Sequence, residues 1–369
     1  MAGIYIHIPF CKQACHYCNF HFAVSLHYKN ELVAALLKEM ELQKEYPGNE
    51  PVETIYFGGG TPSLCTAGEV RSMLEKIHSC FTVSPEAEVT FEVNPDDISD
   101  KKLHAWKLVG INRLSIGIQS FFDEDLLWMN RAHNSKQALD SLHLAIGQFE
   151  NISVDLIYGT PLVSNEKWKQ NVDTVLSMGI QHLSCYALTV EPSTPLYKMI
   201  RQKTTEDVSP DQQSAQFLLL MDWLGEAGFE HYEISNFARP GHRSCHNSSY
   251  WQGKNYLGIG PSAHSFNGSS RQWNIANNKI YIDALIKGTI PFQKEELTPV
   301  QQLNEYIMIS LRTMEGVDLA KVGPDAALSL QTAGRNYVER GLLTLENNSL
   351  ILTKEGKLLA DGIAAGLFF

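Results

Sequence analysis

Three cysteines near the start of the chain are the residues whose types and spacing could do chemistry. They are Cys11, Cys15 and Cys18, spaced C-x3-C-x2-C directly after a short apolar run that is typical of a β-strand. An iron–sulfur cubane usually takes four cysteines, one for each iron, so three cysteines leave one iron open to a ligand that is not protein. The spacing therefore predicts a metal centre with a vacant coordination position.

Two other interpretations of these cysteines stay open at this point. A structural zinc site needs four ligands, and His16, His21 or a distant cysteine could supply the fourth. A disulfide framework is disfavoured because the chain is long and has an odd number of cysteines, seven. The first predicted strand begins almost at the first residue, so we expect neither a secretory nor a transit peptide.

Size and composition exclude several classes of protein. The 369 residues suffice for one large α/β domain and a smaller one, and the content of 44% hydrophobic and 19% charged residues is typical of globular proteins. We expect no membrane span, because no apolar run reaches ~18 residues. The net charge of −11 argues against a general nucleic-acid binder. Unpaired cysteines and an oxygen-sensitive cluster favour a reducing cytoplasm.

Strands and helices must position these cysteines, and their patterns alternate at least six times within residues 1–235. This alternation predicts a parallel sheet covered by helices, curved into a barrel or partial barrel. In such folds the functional side chains lie where strands end and loops begin. Five candidate residues lie at or near predicted strand ends, namely Cys11, Gly59, Glu92, Gln119 and Asp155.

Glycines and carboxylates at the strand ends have both functional and structural interpretations. Gly58, Gly59 and Gly60 follow a strand and allow backbone N–H groups to approach a ligand, although such a triplet can also be only a tight turn. Glu92 needs a partner if buried, which could be a ribose diol, an ammonium group or Arg113 in a salt bridge. Asp155, within an apolar strand, is hard to explain as a surface residue.

Five sequence motifs together resemble one known family. They are Tyr-x-His-x-Pro-Phe-Cys-x3-Cys-x-Tyr-Cys at 5–18, Phe-Gly-Gly-Gly-Thr-Pro at 57–62, Glu-Val-Asn-Pro at 92–95, Arg-Leu-Ser-Ile-Gly-Ile-Gln-Ser-Phe at 113–121 and Asp-Leu-Ile-Tyr-Gly-Thr-Pro at 155–161. This set resembles the radical S-adenosylmethionine (SAM) superfamily and, within it, the oxygen-independent coproporphyrinogen III oxidase group. The likeness covers nearly the whole chain.

The resemblance implies a fold, two cofactors and the residues that hold them. The fold would be a partial (β/α)6 TIM-type barrel with a small C-terminal helical, winged-helix-like domain. Cys11, Cys15 and Cys18 would hold a [4Fe–4S] cluster, whose open iron would bind SAM. The positions matching family SAM contacts are Tyr5, Tyr17, Gly59, Gly60, Thr61, Glu92, Gln119, Arg131, Asp155 and Ala187.

Two departures from the oxidases indicate a different branch of the group. The oxidases carry a fourth cysteine in C-x3-C-x2-C-x-C, and Phe20 occupies that position here. They also carry a long segment before the cysteines, which this sequence does not show. Both features resemble the haem-chaperone branch, which implies a protein without coproporphyrinogen oxidase activity. The rival interpretation remains an enzyme that oxidatively decarboxylates coproporphyrinogen III.

A further motif, His-Asn-Ser-Ser-Tyr-Trp at 246–251, resembles the H-N-x-x-Y-W motif of the same branch. The resemblance implies that His246 binds haem iron, with Tyr250 and Trp251 packed on the macrocycle. Without this resemblance, His246 would be interpreted as a loop histidine that is hydrogen-bonded to the backbone. The adjacent Cys245 is an alternative thiolate ligand, and the sequence does not decide between the two.

Three domains are expected. Residues 1–235 form the radical SAM core, residues 236–297 form extended segments that close one side of the barrel, and residues 298–369 form helices followed by a hairpin, as in a winged helix. The last segment has no dense Lys/Arg face, so a lid or docking module is expected and not a DNA-binding domain. The implied partners are haem, acceptor haemoproteins including respiratory membrane enzymes, and an electron donor for the cluster.

Overall fold

The protein is described by a computed structural model that covers residues 2–48 and 50–369. Met1 and Asn49 belong to the predicted first domain and lie outside the described residues. The strands and helices of the described chain form one large sheet with covering helices and a second, smaller sheet near the C-terminus.

Six adjacent parallel strands form the centre of the large sheet, as the alternating pattern predicted. Each strand pairs with the next one along the chain, so the sheet is wound in a single direction. They are β1 (Ala2–Ile8), β2 (Val52–Gly59), β3 (Val83–Val93), β4 (Arg113–Gln119), β5 (Asn151–Tyr158) and β6 (His182–Ala187).

Helices connect and cover these strands. The helices up to residue 226 are α1 (Lys29–Leu42), α2 (Ala67–Cys80), α3 (Asp100–Leu108), α4 (Asp123–Trp128), α5 (Ser135–Ile146), α6 (Asn165–Ser177), α7 (Pro195–Arg201) and α8 (Pro210–Glu226). The two short helices α4 and α7 were not predicted, because six or seven residues carry little periodic signal.

Side chains alternate across the sheet and separate the hydrophobic core from the site. In β1, Ile4, Ile6 and Ile8 are buried in the same hydrophobic cluster as residues of the covering helices. Burying each such side chain contributes roughly 1.5–3 kcal/mol, so this layer fixes the strand register. Tyr5 and His7 alternate with the isoleucines and face the opposite, concave side, where polar side chains meet.

The predicted extension continues the same sheet. Its strand β9 pairs in parallel with β1, and three antiparallel strands follow outward. At the other edge, its strand β8 pairs with β6, and β7, which belongs to the predicted core, pairs with β8. The two outermost strands do not pair, so the extension widens the sheet and does not seal the barrel. The bounds are β7 (Glu230–Glu233), β8 (Asn236–Ala238), α9 (Cys245–Trp251), β9 (Tyr256–Ile259), β10 (His264–Phe266), β11 (Ser270–Asn274), α10 (Asn278–Ile286) and β12 (Phe292–Glu296).

The C-terminal segment has its own core, built mostly from residues 307–367. Its three-stranded sheet, in the order β13-β15-β14, includes the predicted hairpin and packs with helices before and after it. This is the winged-helix-like arrangement that the sequence predicted. The bounds are α11 (Pro299–Leu311), β13 (Val317–Asp318), α12 (Pro324–Glu339), β14 (Leu343–Glu346), β15 (Ser349–Leu352) and α13 (Ala360–Gly366).

A buried carboxylate ties the extension to the core. Glu39 in α1 is fully buried and accepts hydrogen bonds from the Gly260 N–H at 2.8 Å, from Asn274 Nδ2 at 2.7 Å and from the Tyr281 hydroxyl. Burial raises the pKa of this carboxyl to about 7. Three donors from the extension therefore converge on one side chain of the core.

Among the described residues, no helix is both long enough and apolar enough to cross a lipid bilayer.

Candidate cluster and cofactor site

The loop after β1 carries the three predicted cluster ligands and is held at both ends by backbone hydrogen bonds. The Cys11 N–H donates to the Ala23 carbonyl at 3.0 Å, and the Ala23 N–H donates to the Pro9 carbonyl at 2.9 Å. Cys11, Cys15 and Cys18 form no disulfide, are all partly exposed, and line one cavity of about 500 Å³. The structure therefore places the three thiols on one wall of the same cavity.

The donor set at this wall fits a [4Fe–4S] cluster. Burial raises the pKa of the Cys11 thiol to about 11, so a bound cluster would have to displace its proton. Arg131 places a positive charge beside the thiols, because its Nη1 donates to Cys15 Sγ at 3.4 Å. Its buried Nε has no hydrogen-bond partner within the described residues. Within the part of the chain that the structure describes, no three His, Cys, Asp or Glu side chains converge to hold a single metal ion. A cubane does not need such convergence, because each thiolate binds a different iron.

Arg131 is fixed by the strand ends around it. Its Nη2 donates to Asn94 Oδ1 at 2.7 Å and to the Gly117 carbonyl at 2.9 Å. Gln119 ends β4 with a φ of 68°, a left-handed conformation that costs energy in a residue other than glycine. This irregular strand end turns the chain beside the guanidinium group and exposes polar side chains to the cavity.

The glycine triplet at the end of β2 is required by close approaches. Gly59 has a φ of 106° and donates its N–H to Glu92 Oε2 at 3.2 Å. A Cβ at Gly60 would lie 2.5 Å from the Phe10 carbonyl oxygen, at the start of the cysteine loop. A side chain at either position would therefore displace the loop or strain the backbone.

The carboxylate of Glu92 lies near the end of β3 and lines the cavity of the cysteines. Its Oε1 accepts a hydrogen bond from the Tyr56 hydroxyl at 2.8 Å, and no ion pair forms with it in residues 2–48 and 50–369. Arg113, its alternative partner in the sequence interpretation, lies instead 3.9 Å from Glu88. Burial raises the pKa of Glu92 to about 7, so a bound ammonium group would stabilise its charged form.

Asp155 lies on the same wall, in β5. Its two carboxyl oxygens accept from the Ser115 hydroxyl at 3.4 Å each. Burial raises the pKa of Asp155 to about 6. Among the described residues, no cationic side chain is hydrogen-bonded to Glu92 or to Asp155. A polar ligand with donor groups would satisfy both carboxyl groups.

The structure brings all but one of the predicted SAM contacts together. The exception, Tyr5, lines a neighbouring cavity, and its hydroxyl is hydrogen-bonded to His7 Nδ1 at 3.2 Å. The roles of the others in SAM binding stay predictions. Those that line the cavity of the cysteines are Tyr17, Gly59, Gly60, Thr61, Glu92, Gln119, Arg131, Asp155 and Ala187.

Several further cavity residues were not predicted. Asn94 is hydrogen-bonded to both Arg131 and the Thr61 hydroxyl. Its position directly after β3, at a strand end, could have identified it as a site residue from the sequence. Tyr186 is 43% exposed and lies near the end of β6. The alternation of side chains along this strand could have indicated that Tyr186 faces the cavity. Thr189 and Glu191 lie beyond that strand in a loop, where the sequence offers no periodic pattern.

A second cavity, of about 630 Å³, adjoins the first. Asn19 and Phe20 line both cavities, so the loop that carries the cysteines separates them. Tyr250 and Trp251 of the H-N-x-x-Y-W motif also line this second cavity. Phe20, at the position of the oxidases' fourth cysteine, is 69% exposed.

His246 does not line either cavity and is buried in helix α9. Its Nδ1 is hydrogen-bonded to Thr54 Oγ1 at 2.8 Å and its Nε2 to the Tyr250 hydroxyl at 2.9 Å, so both ring nitrogens have partners. Burial lowers the pKa of His246 to about 3. Binding of iron by either ring nitrogen would require one of these two hydrogen bonds to break. Binding of haem by His246 stays a prediction. Cys245 is exposed but lines neither cavity.

Comparison with known families agrees with this geometry. The profile of the Radical SAM superfamily matches residues 5–175, and that of the HemN C-terminal domain matches residues 297–359. The solved coproporphyrinogen III oxidase (HemN) of Escherichia coli aligns with a TM-score of 0.86 and 22% identity over 100% of this chain and 90% of that chain, which shows the fold alone. Fold and matched domains together define a radical SAM protein, a class with a [4Fe–4S] cluster and SAM.

Curated relatives specify the family more closely. The Heme chaperone HemW of Bacillus subtilis is 34% identical over 98% of both chains, and that of Mycobacterium tuberculosis strain H37Rv is 32% identical over 99% of this chain and 94% of its own. The mitochondrial Radical S-adenosyl methionine domain-containing protein 1 of Bos taurus is 32% identical over 99% of this chain and 87% of its own. The chain belongs to the HemW family of radical SAM proteins.

Proposed function

We propose that this protein is a haem chaperone, which binds haem and delivers it to acceptor haemoproteins from a radical SAM scaffold. One observation carries the proposal, the 34% identity to the Bacillus subtilis heme chaperone along 98% of both chains. Because the likeness is spread over the whole length, it includes the barrel, the extension and the C-terminal domain together.

The cluster and SAM have defined places in this proposal. Cys11, Cys15 and Cys18 hold the [4Fe–4S] cluster, and the open iron binds SAM. Glu92 and Asp155 contact the polar groups of SAM. The free thiols and the cluster require a reducing compartment, which supports the cytoplasm as the location. The partners are an electron donor for the cluster and acceptor haemoproteins, among them respiratory membrane enzymes.

The second candidate function is oxygen-independent coproporphyrinogen III oxidation. The fold match to the Escherichia coli oxidase favours it, because the whole of this chain aligns with that enzyme. Two facts weigh against it: the identity is 22%, and Phe20 stands where the oxidases carry a fourth cysteine. We therefore rank the chaperone above the oxidase.

Two parallel assays on one anaerobic preparation separate the functions. The reconstituted protein is titrated with haem while the Soret band is followed, and is then mixed with an apo-haemoprotein to measure transfer. A second aliquot receives coproporphyrinogen III, SAM and a reductant, and its products are separated. We expect haem binding and transfer without protoporphyrinogen. Clear turnover of coproporphyrinogen, or absence of haem binding, would contradict the proposal.

A further inference from the structure

Helix α7 packs directly on the loop that carries the cysteines. The Leu196 N–H donates to the carbonyl of His16, which lies between Cys15 and Cys18, at 2.8 Å. The Leu196 side chain is fully buried in a small hydrophobic cluster against which Tyr17 of the same loop also packs. The outer side of α7 is therefore a part of the protein surface that lies next to the predicted [4Fe–4S] cluster.

Three basic residues on and just after this helix are exposed and unpaired. They are Lys198, Arg201 and Lys203, and no carboxylate of the described residues forms an ion pair with any of them. The ring of Tyr197 supports the guanidinium group of Arg201, whose Cζ lies 5.8 Å from the ring centroid. Three positive charges within six residues therefore face the solvent.

The cysteine loop itself carries one lysine, and acids neutralise it. Lys12 Nζ lies 2.7 Å from Asp96 and 2.6 Å from Asp97. Beyond α7, the exposed Glu206 and Asp207 mark the edge of the basic segment. In a chain with a net charge of −11, an acidic partner would be repelled by most of the surface and attracted to α7.

An apolar side chain extends this basic surface. Leu127 in α4 is 76% exposed. The next residue, Trp128, ties α4 to both neighbours: its carbonyl accepts from His16 Nδ1 at 2.8 Å, and its Nε1 donates to Thr205 Oγ1 at 2.7 Å. An apolar contact with a charged rim is the usual composition of a protein interface. The α7 surface, as we define it, consists of Lys198, Arg201, Lys203 and Leu127.

The size of the α7 surface fits a transient partner. Electron-transfer complexes bury less than about 1,200 Å² in total, so two short helices suffice for one. The rate of electron transfer falls steeply with distance, and this surface is bonded to the loop of the thiols. Its charge, size and position therefore match an acidic protein that delivers electrons.

We propose that the α7 surface docks a small acidic iron–sulfur electron carrier, which reduces the [4Fe–4S] cluster. The inference rests on the proposed function, because it gives a docking surface to the electron donor named there. One electron leaves the reduced carrier, which is thereby oxidised, and enters the cluster, which is thereby reduced. No covalent bond forms or breaks in this step, and no proton is needed.

Binding is measured first, because it does not depend on turnover. Reconstituted protein is titrated in a calorimeter with an oxidised, acidic [2Fe–2S] ferredoxin at low and at physiological salt. For the triple variant Lys198→Glu/Arg201→Glu/Lys203→Glu we expect an affinity at low salt that is lower by about tenfold or more, with little remaining salt dependence. Leu127→Ala should weaken binding without changing its salt dependence, because it removes no charge.

The matched control makes the same change of net charge elsewhere. Lys101→Glu/Lys287→Glu/Arg335→Glu replaces exposed residues on α3, after α10 and on α12. This variant should bind the ferredoxin as the wild type does, because docked charges act mainly at short range in salt. A difference between the two triple variants therefore reports on the position of the charges and not on their sum.

The rate of cluster reduction is measured next, by EPR of rapidly frozen samples. Reduced ferredoxin should reduce the cluster of the α7 triple variant about tenfold more slowly than that of the control variant at low salt. Dithionite, a small reductant that needs no docking surface, should reduce both at the same rate. Equal dithionite rates, with equal iron and sulfide content, show that fold and cluster are intact in both.

The outcomes separate this inference from the proposed function. If the wild type does not bind the ferredoxin, or if the two triple variants bind it and are reduced alike, the α7 surface is not the docking site and the inference is overturned. Slower haem transfer by the α7 variant with unchanged reduction would assign the surface to the haem acceptor, and would also overturn it. Failure of the wild type to bind haem would contradict the chaperone function, whereas the docking measurements would stand.

Discussion

The imidazole of His246 stacks on the phenol ring of Tyr56, with ring centroids 4.9 Å apart and an angle of 27° between the planes. The Tyr56 hydroxyl in turn donates to Glu92. The H-N-x-x-Y-W helix therefore lies directly behind a carboxylate of the predicted SAM site. Through Tyr250, the same histidine also supports the second cavity. The buried imidazole of His246 thus contacts Tyr56, which bonds Glu92 of the first cavity, and Tyr250, which lines the second cavity.

For His246→Ala we expect a loss of stability and a weaker affinity for SAM. Removing the ring leaves a void behind Tyr56 and removes the partner of Thr54, so the cost is roughly 2–5 kcal/mol. Thermal unfolding and a SAM titration measure the two effects. The control is His104→Ala, an exposed substitution. A variant with an unchanged unfolding midpoint would show that the buried ring contributes nothing.

For Cys15→Ala we expect that no stable cluster forms after anaerobic reconstitution, because two thiolates remain for four irons. Visible absorbance and the content of iron and sulfide measure this loss. The matched control is Cys80→Ala at the end of α2, a partly buried thiol outside the cavity, and it should reconstitute as the wild type does. Iron and sulfide at wild-type levels in Cys15→Ala would contradict the assignment of the ligands.

The affinity for SAM should depend on pH through Glu92. Its pKa is raised to about 7 by burial, so below pH 7 the neutral carboxyl cannot pair with an ammonium group, and above pH 7 the carboxylate can. Affinity should fall by about tenfold for each pH unit below the pKa. Calorimetry between pH 6 and 8 on the wild type and Glu92→Gln measures this, and Glu92→Gln should bind weakly at every pH.

The control for that experiment is Glu86→Gln, on the same strand but exposed. This substitution should leave both the affinity and its pH dependence unchanged. A wild-type affinity that stays constant across pH 7 would show that Glu92 does not contact the amino group of SAM.

Stability should also depend on pH through Glu39. Its folded pKa of about 7 lies above the ordinary value of 4.5, so the folded chain holds a proton that the unfolded chain releases. The stabilisation is complete below pH 4.5, decreases as pH rises, and is lost above pH 7, a change of roughly 3 kcal/mol. Denaturation at several pH values should show this slope in the wild type and a flatter one in Glu39→Gln.

Glu41→Gln supplies the comparison for Glu39, because Glu41 is exposed on the same helix. Its slope with pH should equal that of the wild type. Equal slopes for Glu39→Gln and the wild type would mean that the carboxyl is already ionised in the folded protein at low pH.

The sheet and the cysteine site were predictable from the sequence because their signals are local. Apolar alternation in β1 and the spacing of Cys11, Cys15 and Cys18 occur within one short segment. The six central strands follow each other in space as in sequence, so the pattern of the chain specified their order. Polar residues at the strand ends then had to meet at one edge of the sheet.

Helix α9 was not predictable, because distant contacts hold it. Its sequence, Cys-His-Asn-Ser-Ser-Tyr-Trp, consists of residues with weak helix propensity. The carboxylate of Glu88 accepts from the N–H groups of Cys245 at 3.1 Å and His246 at 3.0 Å, across more than 150 residues of sequence. The second cavity was missed for the same reason, since its walls come from segments that are far apart in the chain.

One aromatic ring of the cysteine loop lines both cavities. This ring is the side chain of Phe20. A movement of the side chain that enlarges one cavity would narrow the other. Ligands that prefer different positions of this ring are then linked, and each changes the affinity of the other by the same factor. A ligand bound in the cavity of the cysteines would therefore change the affinity of the second cavity for its own ligand, and the reverse, although the two ligands do not touch.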